Sequence, residues 1–223
     1  MPALNSLLSL IRGAIPIFML ALGIPGVAAA QVYEFNRFVR GGGGGGDPSK
    51  QRIVQGAGAN ICVHIAPGGA ASPNRVHFTF WNQFPEPRSR IQQIAFDVGR
   101  HSDLFSAMTI MLQSPGVNGR VVPPRSHAML HGISADYWIA ALYPGGITPG
   151  KMLVVSATLG SGRTFANVIG ALNEGANPAT AASGFRIGVT ASHILGGPPP
   201  GVATINDDGG FLLTGPSARC RTQ

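Results

Sequence analysis

Apolar runs in this chain are short, and glycine or proline ends nearly every one of them. With 32 glycines and 18 prolines distributed along 223 residues, few stretches leave room for a long helix, because both residues interrupt helical hydrogen bonding or its conformational economy. Several of the runs instead alternate apolar and polar side chains, the period of a half-buried strand. Short strands separated by turn residues at close intervals are the pattern of sandwiches and barrels.

The clearest strand is Arg75-Val76-His77-Phe78-Thr79-Phe80-Trp81. Alternation places Val76, Phe78 and Phe80 on one face, expected to be core, and His77, Thr79 and Trp81 on the other. Strands are also predicted at residues 60–65, at 91–96 leading into Asp97-Val98-Gly99, and at 108–112, 137–142, 152–159, 185–189 and 210–213. One helix stands out: Phe165, Val168, Ile169 and Leu172 repeat at i, i+3, i+4 and i+7, Thr164 is a suitable N-cap, and Gly175 stands where a C-cap glycine belongs. The fold class is therefore mainly β, an antiparallel, jelly-roll-like β-sandwich with one short packed α-helix.

The first thirty residues form a separate unit. Arg12 is their only charge, residues 14–24 are apolar, and Ala28-Ala29-Ala30 supplies the small residues of a cleavage site, which together read as a secretory signal. Pro16, Gly23, Pro25 and Gly26 interrupt the stretch and argue against a spanning anchor. Residues 1–30 are thus expected to be a signal peptide, residues 31–52 an N-terminal strand with the flexible loop Gly41 to Gly46, and residues 53–223 the sandwich domain. No transmembrane segment is expected after cleavage, and the protein is expected outside the cytoplasm, periplasmic or secreted.

That compartment gives meaning to the cysteines. There are two, Cys62 and Cys220, and in an oxidising environment such a pair is expected to form a structural disulfide. Lysine and arginine exceed aspartate and glutamate for a formal charge of +7, which suits anionic partners such as envelope polysaccharide. The arginines are scattered, however, so solubility accounts for them equally well.

Three segments recur in one order: His77-Phe78-Thr79-Phe80-Trp81-Asn82, then residues 91–99 (IQQIAFDVG), then residues 164–175 (TFANVIGALNEG) followed by Phe185-Arg186-Ile187-Gly188. In that order the chain resembles exported bacterial β-sandwich proteins of the kind associated with PEP-CTERM sorting. The resemblance implies a secreted sandwich and brings no defined activity or catalytic residues. Residues 220–223 carry none of the Pro-Glu-Pro tag, membrane helix and basic tail common in that group, so retention by such a tag is not expected.

Candidate chemistry is sparse. Residues 157–164 (ATLGSGRT) approximate a phosphate-binding loop, but Arg163 stands where the lysine is needed, so no nucleotide is expected. Asp97 with Asp103, and Asp207 with Asp208 in Asn206-Asp207-Asp208-Gly209, offer the oxygen ligands that calcium takes, without the spacing of a calcium loop. His127 and His131 with Asp136 form a second nominal metal set, and Ser134, His131 and Asp136 a nominal hydrolytic one. Trp81, Tyr137 and Trp138 could stack on sugar rings. Three functions follow from these features. The first is a non-enzymatic structural, adhesive or surface-interaction role with no cofactor, its partner a polysaccharide, anionic or neutral, or another surface protein. The second is a carbohydrate-binding module, with or without calcium, and the third a secreted hydrolase. Trp81 and Tyr137 exposed side by side would favour the second, and a cleft with convergent titratable groups the third.

Overall fold

The alternation read from the strand around Phe78 is realised in full. In a computed structural model, Val76, Phe78, Phe80 and Asn82 are buried while the intervening His77, Thr79 and Trp81 are half-buried on the opposite face. The structure describes residues 29–35, 37–39, 60–84, 89–122, 133, 135–140, 146–177, 179–192, 209–212, 215–216 and 220. The expected signal peptide up to residue 28, the glycine run 41–46, the prolines at 85, 87 and 198–200, and Asp207 and Asp208 lie outside these residues.

In chain order the elements are β1 (Gln31–Glu34), β2 (Arg37–Val39), β3 (Ile61–Pro67), β4 (Arg75–Asn82), β5 (Arg90–Asp97), β6 (Phe105–Gln113), β7 (Arg120–Val122) and β8 (Tyr137–Ala140). Then follow β9 (Met152–Leu159), the helix α1 (Phe165–Ala176), β10 (Arg186–Ser192), β11 (Gly209–Leu212) and β12 (Gly215–Pro216). They form two six-stranded sheets, β12-β1-β3-β4-β9-β6 and β2-β11-β10-β5-β8-β7. Pairing is antiparallel throughout the described residues. The chain passes repeatedly from one sheet to the other, so β4 pairs with β9 rather than with β5. This is the antiparallel sandwich that the sequence leads one to expect.

Aromatic side chains join the sheets. Phe78 of β4 meets Phe96 of β5 edge to face with ring centroids 5.3 Å apart, and Phe80 meets Phe96 at 5.9 Å. Phe185, just before β10, packs on Phe105 at 5.5 Å and on Phe78 at 6.1 Å. Each such ring removed from water contributes about 1.5–3 kcal/mol, and each edge-to-face pair roughly 0.5–1.5 kcal/mol more. β1 belongs to the same core: it pairs with β3 and β12, and Tyr33 and Phe35 are fully buried.

The helix starts as the sequence indicates. Thr164 accepts a hydrogen bond from the backbone N–H of Asn167, whose side chain accepts one from the Thr164 N–H, a reciprocal cap. Its end differs from expectation. The helix continues through Gly175 to Ala176 and is capped by Asn177. Gly175 is needed for another reason: a Cβ there would lie 1.9 Å from the carbonyl oxygen of Phe185, so its missing side chain lets the helix close on the chain entering β10.

Candidate functional site

Strand register lines up side chains on the outer face of the first sheet. Across β1, β3, β4, β9 and β6 one row reads Val32, His64, Thr79, Val154 and Leu112. The adjacent row reads Glu34, Cys62, Trp81 and Met152. Register partners in an antiparallel sheet point to the same side, so these residues share one surface. Trp81 lies over this face, half-buried, with the His64 ring 6.0 Å away and tilted by 36°.

The face is nearly neutral in its centre. Burial lowers the pKa of His64, and burial reinforced by the Arg75 charge lowers that of His77, so both imidazoles are uncharged at pH 7. Among the described residues, His77 Nδ1 is enclosed without a hydrogen-bond partner. Arg75 donates to the Ser156 hydroxyl at 3.4 Å. At the far edge the large apolar side chains of Met111 and Leu112 are open to solvent, 63% and 50% exposed. In the β4–β9 register Ser156 stands opposite His77.

Trp81 and Tyr137 do not stand side by side. Trp81 lies on the first sheet and β8, with Tyr137 and Trp138, on the second. Tyr137 faces the core side, its ring edge on Phe105 at 6.5 Å and its hydroxyl donating to the Phe105 carbonyl at 3.0 Å. Burial, with the nearby Asp136 charge, raises its pKa. Trp138 stands opposite Ala95 and Val122 in the β5–β8–β7 ladder.

Asp97 and Asp103 are each held by an arginine. Asp97 ends β5 directly opposite Arg186 of β10; it is buried, accepts from the Gly99 N–H at 3.0 Å, and forms an ion pair with the Arg186 guanidinium. Asp103 accepts from Arg163 Nε at 3.1 Å, and that bond is the main cause of its lowered pKa. A guanidinium thus supplies positive charge beside each carboxylate. Among the described residues no group of three or more histidines, cysteines, aspartates and glutamates could hold a metal.

The glycine-rich turn before α1 is explained by packing. A Cβ on Gly160 would lie 1.8 Å from the Asp103 carbonyl oxygen, and Gly162 has φ of +71°. These glycines bring Arg163 onto Asp103 and present Thr164 as the cap. His127, His131 and Ser134 lie outside the described residues, and Asp136 accepts from the Val98 N–H at 2.8 Å.

One cluster is unforeseen. Glu174, near the end of α1, binds Arg100 at 2.8 Å, His101 Nε2 at 2.9 Å and the Ser183 hydroxyl at 2.8 Å. Serine and histidine both contact the carboxylate rather than each other, so the order required for a nucleophile–base–acid relay is absent. The cluster ties the end of the helix to the turn after β5. Nothing local in the sequence marks it, since the three segments meet only in the fold.

Cys62 and Cys220 stand at disulfide distance, with Cα atoms 5.8 Å apart and both residues buried. Compared with protein-family models, with curated proteins and with solved structures, the chain finds no match.

Proposed function

We propose that this is an exported, non-enzymatic β-sandwich whose role is surface interaction, adhesive or structural, outside the cytoplasm. One observation carries the reading. Among the described residues, carboxylates that could have served chemistry are engaged in pairs that hold the fold, Asp97 with Arg186, Asp103 with Arg163, and Glu174 with Arg100 and His101. Among the described residues, the outer face of the first sheet offers the half-buried His64, Thr79 and Trp81. Export rests on the three-part leader ending at Ala30 and on the Cys62–Cys220 pairing. The likeness to PEP-CTERM-associated sandwiches belongs to the same reading and adds no activity.

A second reading has one specific support, the half-buried Trp81 beside His64 on that outer face. An indole flanked by an uncharged imidazole is suited to stacking on a sugar ring. The carbohydrate-binding function would then rest on these two residues rather than on Trp81 with Tyr137. Calcium at Asp207 and Asp208 enters as a variable.

The experiment is binding of the purified protein to an array of neutral and anionic polysaccharides, with calcium and with chelator, for wild type, Trp81→Ala and His64→Ala. Selective binding lost in both variants selects the carbohydrate module. Absence of polysaccharide binding, together with retained binding to surface proteins, supports the general surface role. Turnover of a polysaccharide or ester substrate by the wild type would overturn both.

A further inference from the structure

Asn118 is the one asparagine in the chain that a glycine follows. Asparagine is among the chemically labile residues. Its carboxamide carbon lies within reach of the next residue's backbone nitrogen, and a glycine there carries no Cβ to block the approach or restrict the backbone. Strand or helix would hold the two groups apart. Asn118 and Gly119 lie between β6 and β7, outside either strand, and Asn118 is exposed.

The chain on either side of this pair is fixed. Val117 is buried and its N–H donates to the Ser114 carbonyl at 3.0 Å, while Lys151 Nζ donates to the Pro115 carbonyl at 2.7 Å. β7 begins directly after Gly119, with Arg120 in register with Ala140. Asn118 and Gly119 therefore form a short bridge between two anchors, on the passage from the edge of the first sheet to the edge of the second. One contact bears on the nitrogen itself: the Gly119 N–H donates to Gln113 Oε1 at 3.0 Å. The nitrogen must give up that proton to attack, so the bond holds it back. Gln113 is exposed, so the bond can open to water.

We propose that Asn118 and Gly119 form a self-modifying site at which water is the co-reactant, with Gln113 as its brake. The Gly119 nitrogen loses its proton to solvent base and bonds to Asn118 Cγ. The Cγ–Nδ2 bond breaks, Nδ2 takes up protons and leaves as ammonia, and a cyclic imide remains. Water then adds to either imide carbonyl. Breaking the bond from Cγ to the Gly119 nitrogen gives aspartate; breaking the bond from the Asn118 main-chain carbonyl carbon to that nitrogen gives isoaspartate, whose backbone runs through Cβ and Cγ. Either product carries a new carboxylate, and isoaspartate also adds a backbone carbon just before β7. The reaction is independent of the surface role proposed above.

Ageing the purified protein in warm, mildly alkaline buffer, followed by peptide mapping, tests this. The peptide holding Asn118 should gain mass by the exchange of NH for O before any other asparagine peptide does. It should appear as a mixture of aspartate and isoaspartate, and faster as pH rises. Gly119→Ala should lose most of the change over the same period. Gln113→Ala should react roughly two- to tenfold faster, the weight of one hydrogen bond. Gln113→Glu, which keeps an acceptor oxygen, should stay close to the wild-type rate. If a variant fails to fold, wild type with and without denaturant decides: a faster reaction at Asn118 on unfolding supports the brake, and an equal or slower one overturns it. An Asn118 left intact in the folded protein while the unfolded chain reacts, aspartate as the sole product, or a folded Gln113→Ala no faster than wild type would each overturn the proposal.

Discussion

Cys62 on β3 and Cys220 near the end of the chain come within disulfide distance although 158 residues separate them in sequence. Cys62 lies in register between Glu34 of β1 and Trp81 of β4, and the Cys220 sulfur reaches the Tyr33 carbonyl at 3.7 Å. The pair therefore fastens the end of the chain across the β1–β3 side of the first sheet.

A cross-link over so long a loop restricts the unfolded chain strongly. Replacing Cys220 by Ser, or reducing the protein, should lower stability by about 2–5 kcal/mol. Denaturant titration with and without reductant measures this. Equal midpoints for oxidised and reduced wild type would contradict it.

Two glycines of α1 should respond to alanine with opposite sign. Gly170 is exposed and a Cβ there meets nothing within 4 Å, so Gly170→Ala should stabilise by about 0.5–1 kcal/mol through helix propensity. Gly175 abuts the Phe185 carbonyl, so Gly175→Ala should destabilise by about 1–3 kcal/mol or more. Thermal unfolding of both variants makes the comparison. Similar shifts in one direction would remove the close approach as the reason for Gly175.

Those glycines also mark what the sequence could and could not disclose. The faces of β4 were legible because Phe78 and Phe80 alternate with Thr79 and Trp81, and burial is a local consequence of that period. The start of α1 was legible because Thr164 and Asn167 are three residues apart. The end of α1 was not, since what constrains Gly175 is a carbonyl ten residues later that approaches only after β10 joins the second sheet. Asp97 looks like a loop oxygen ligand until Arg186, brought opposite it by strand register, takes its charge. Tyr137 falls on the core side of β8 for a similar reason, because Ile139 shares its parity and is fully buried. β7 and β12 are too short to carry a period. The neutral row His64, Thr79, Val154 and Leu112 was hidden because it runs across strands.

Acid should loosen the end of the helix. Hydrogen bonds from His101 and Ser183, with the Arg100 charge, hold the Glu174 carboxyl below the usual glutamate value of about 4.3. A carboxyl depressed in the folded state contributes stability that is complete above its unfolded pKa and is lost as pH falls through the folded one. Glu174→Gln should therefore be less stable than wild type at pH 6, and the difference should vanish as pH falls well below 4. Melting temperatures of the two proteins across that range check it. A gap independent of pH would assign Glu174 a packing role instead.

Export with an oxidised cysteine pair is the claim on which the functional reading stands, and intact mass spectrometry of the protein expressed with its own leader in a bacterium tests it most directly. The species recovered outside the cytoplasm should begin at Gln31 and be two hydrogens lighter than its fully reduced form. A full-length chain retained in the cytoplasm, with Cys62 and Cys220 both free to alkylate, would contradict it.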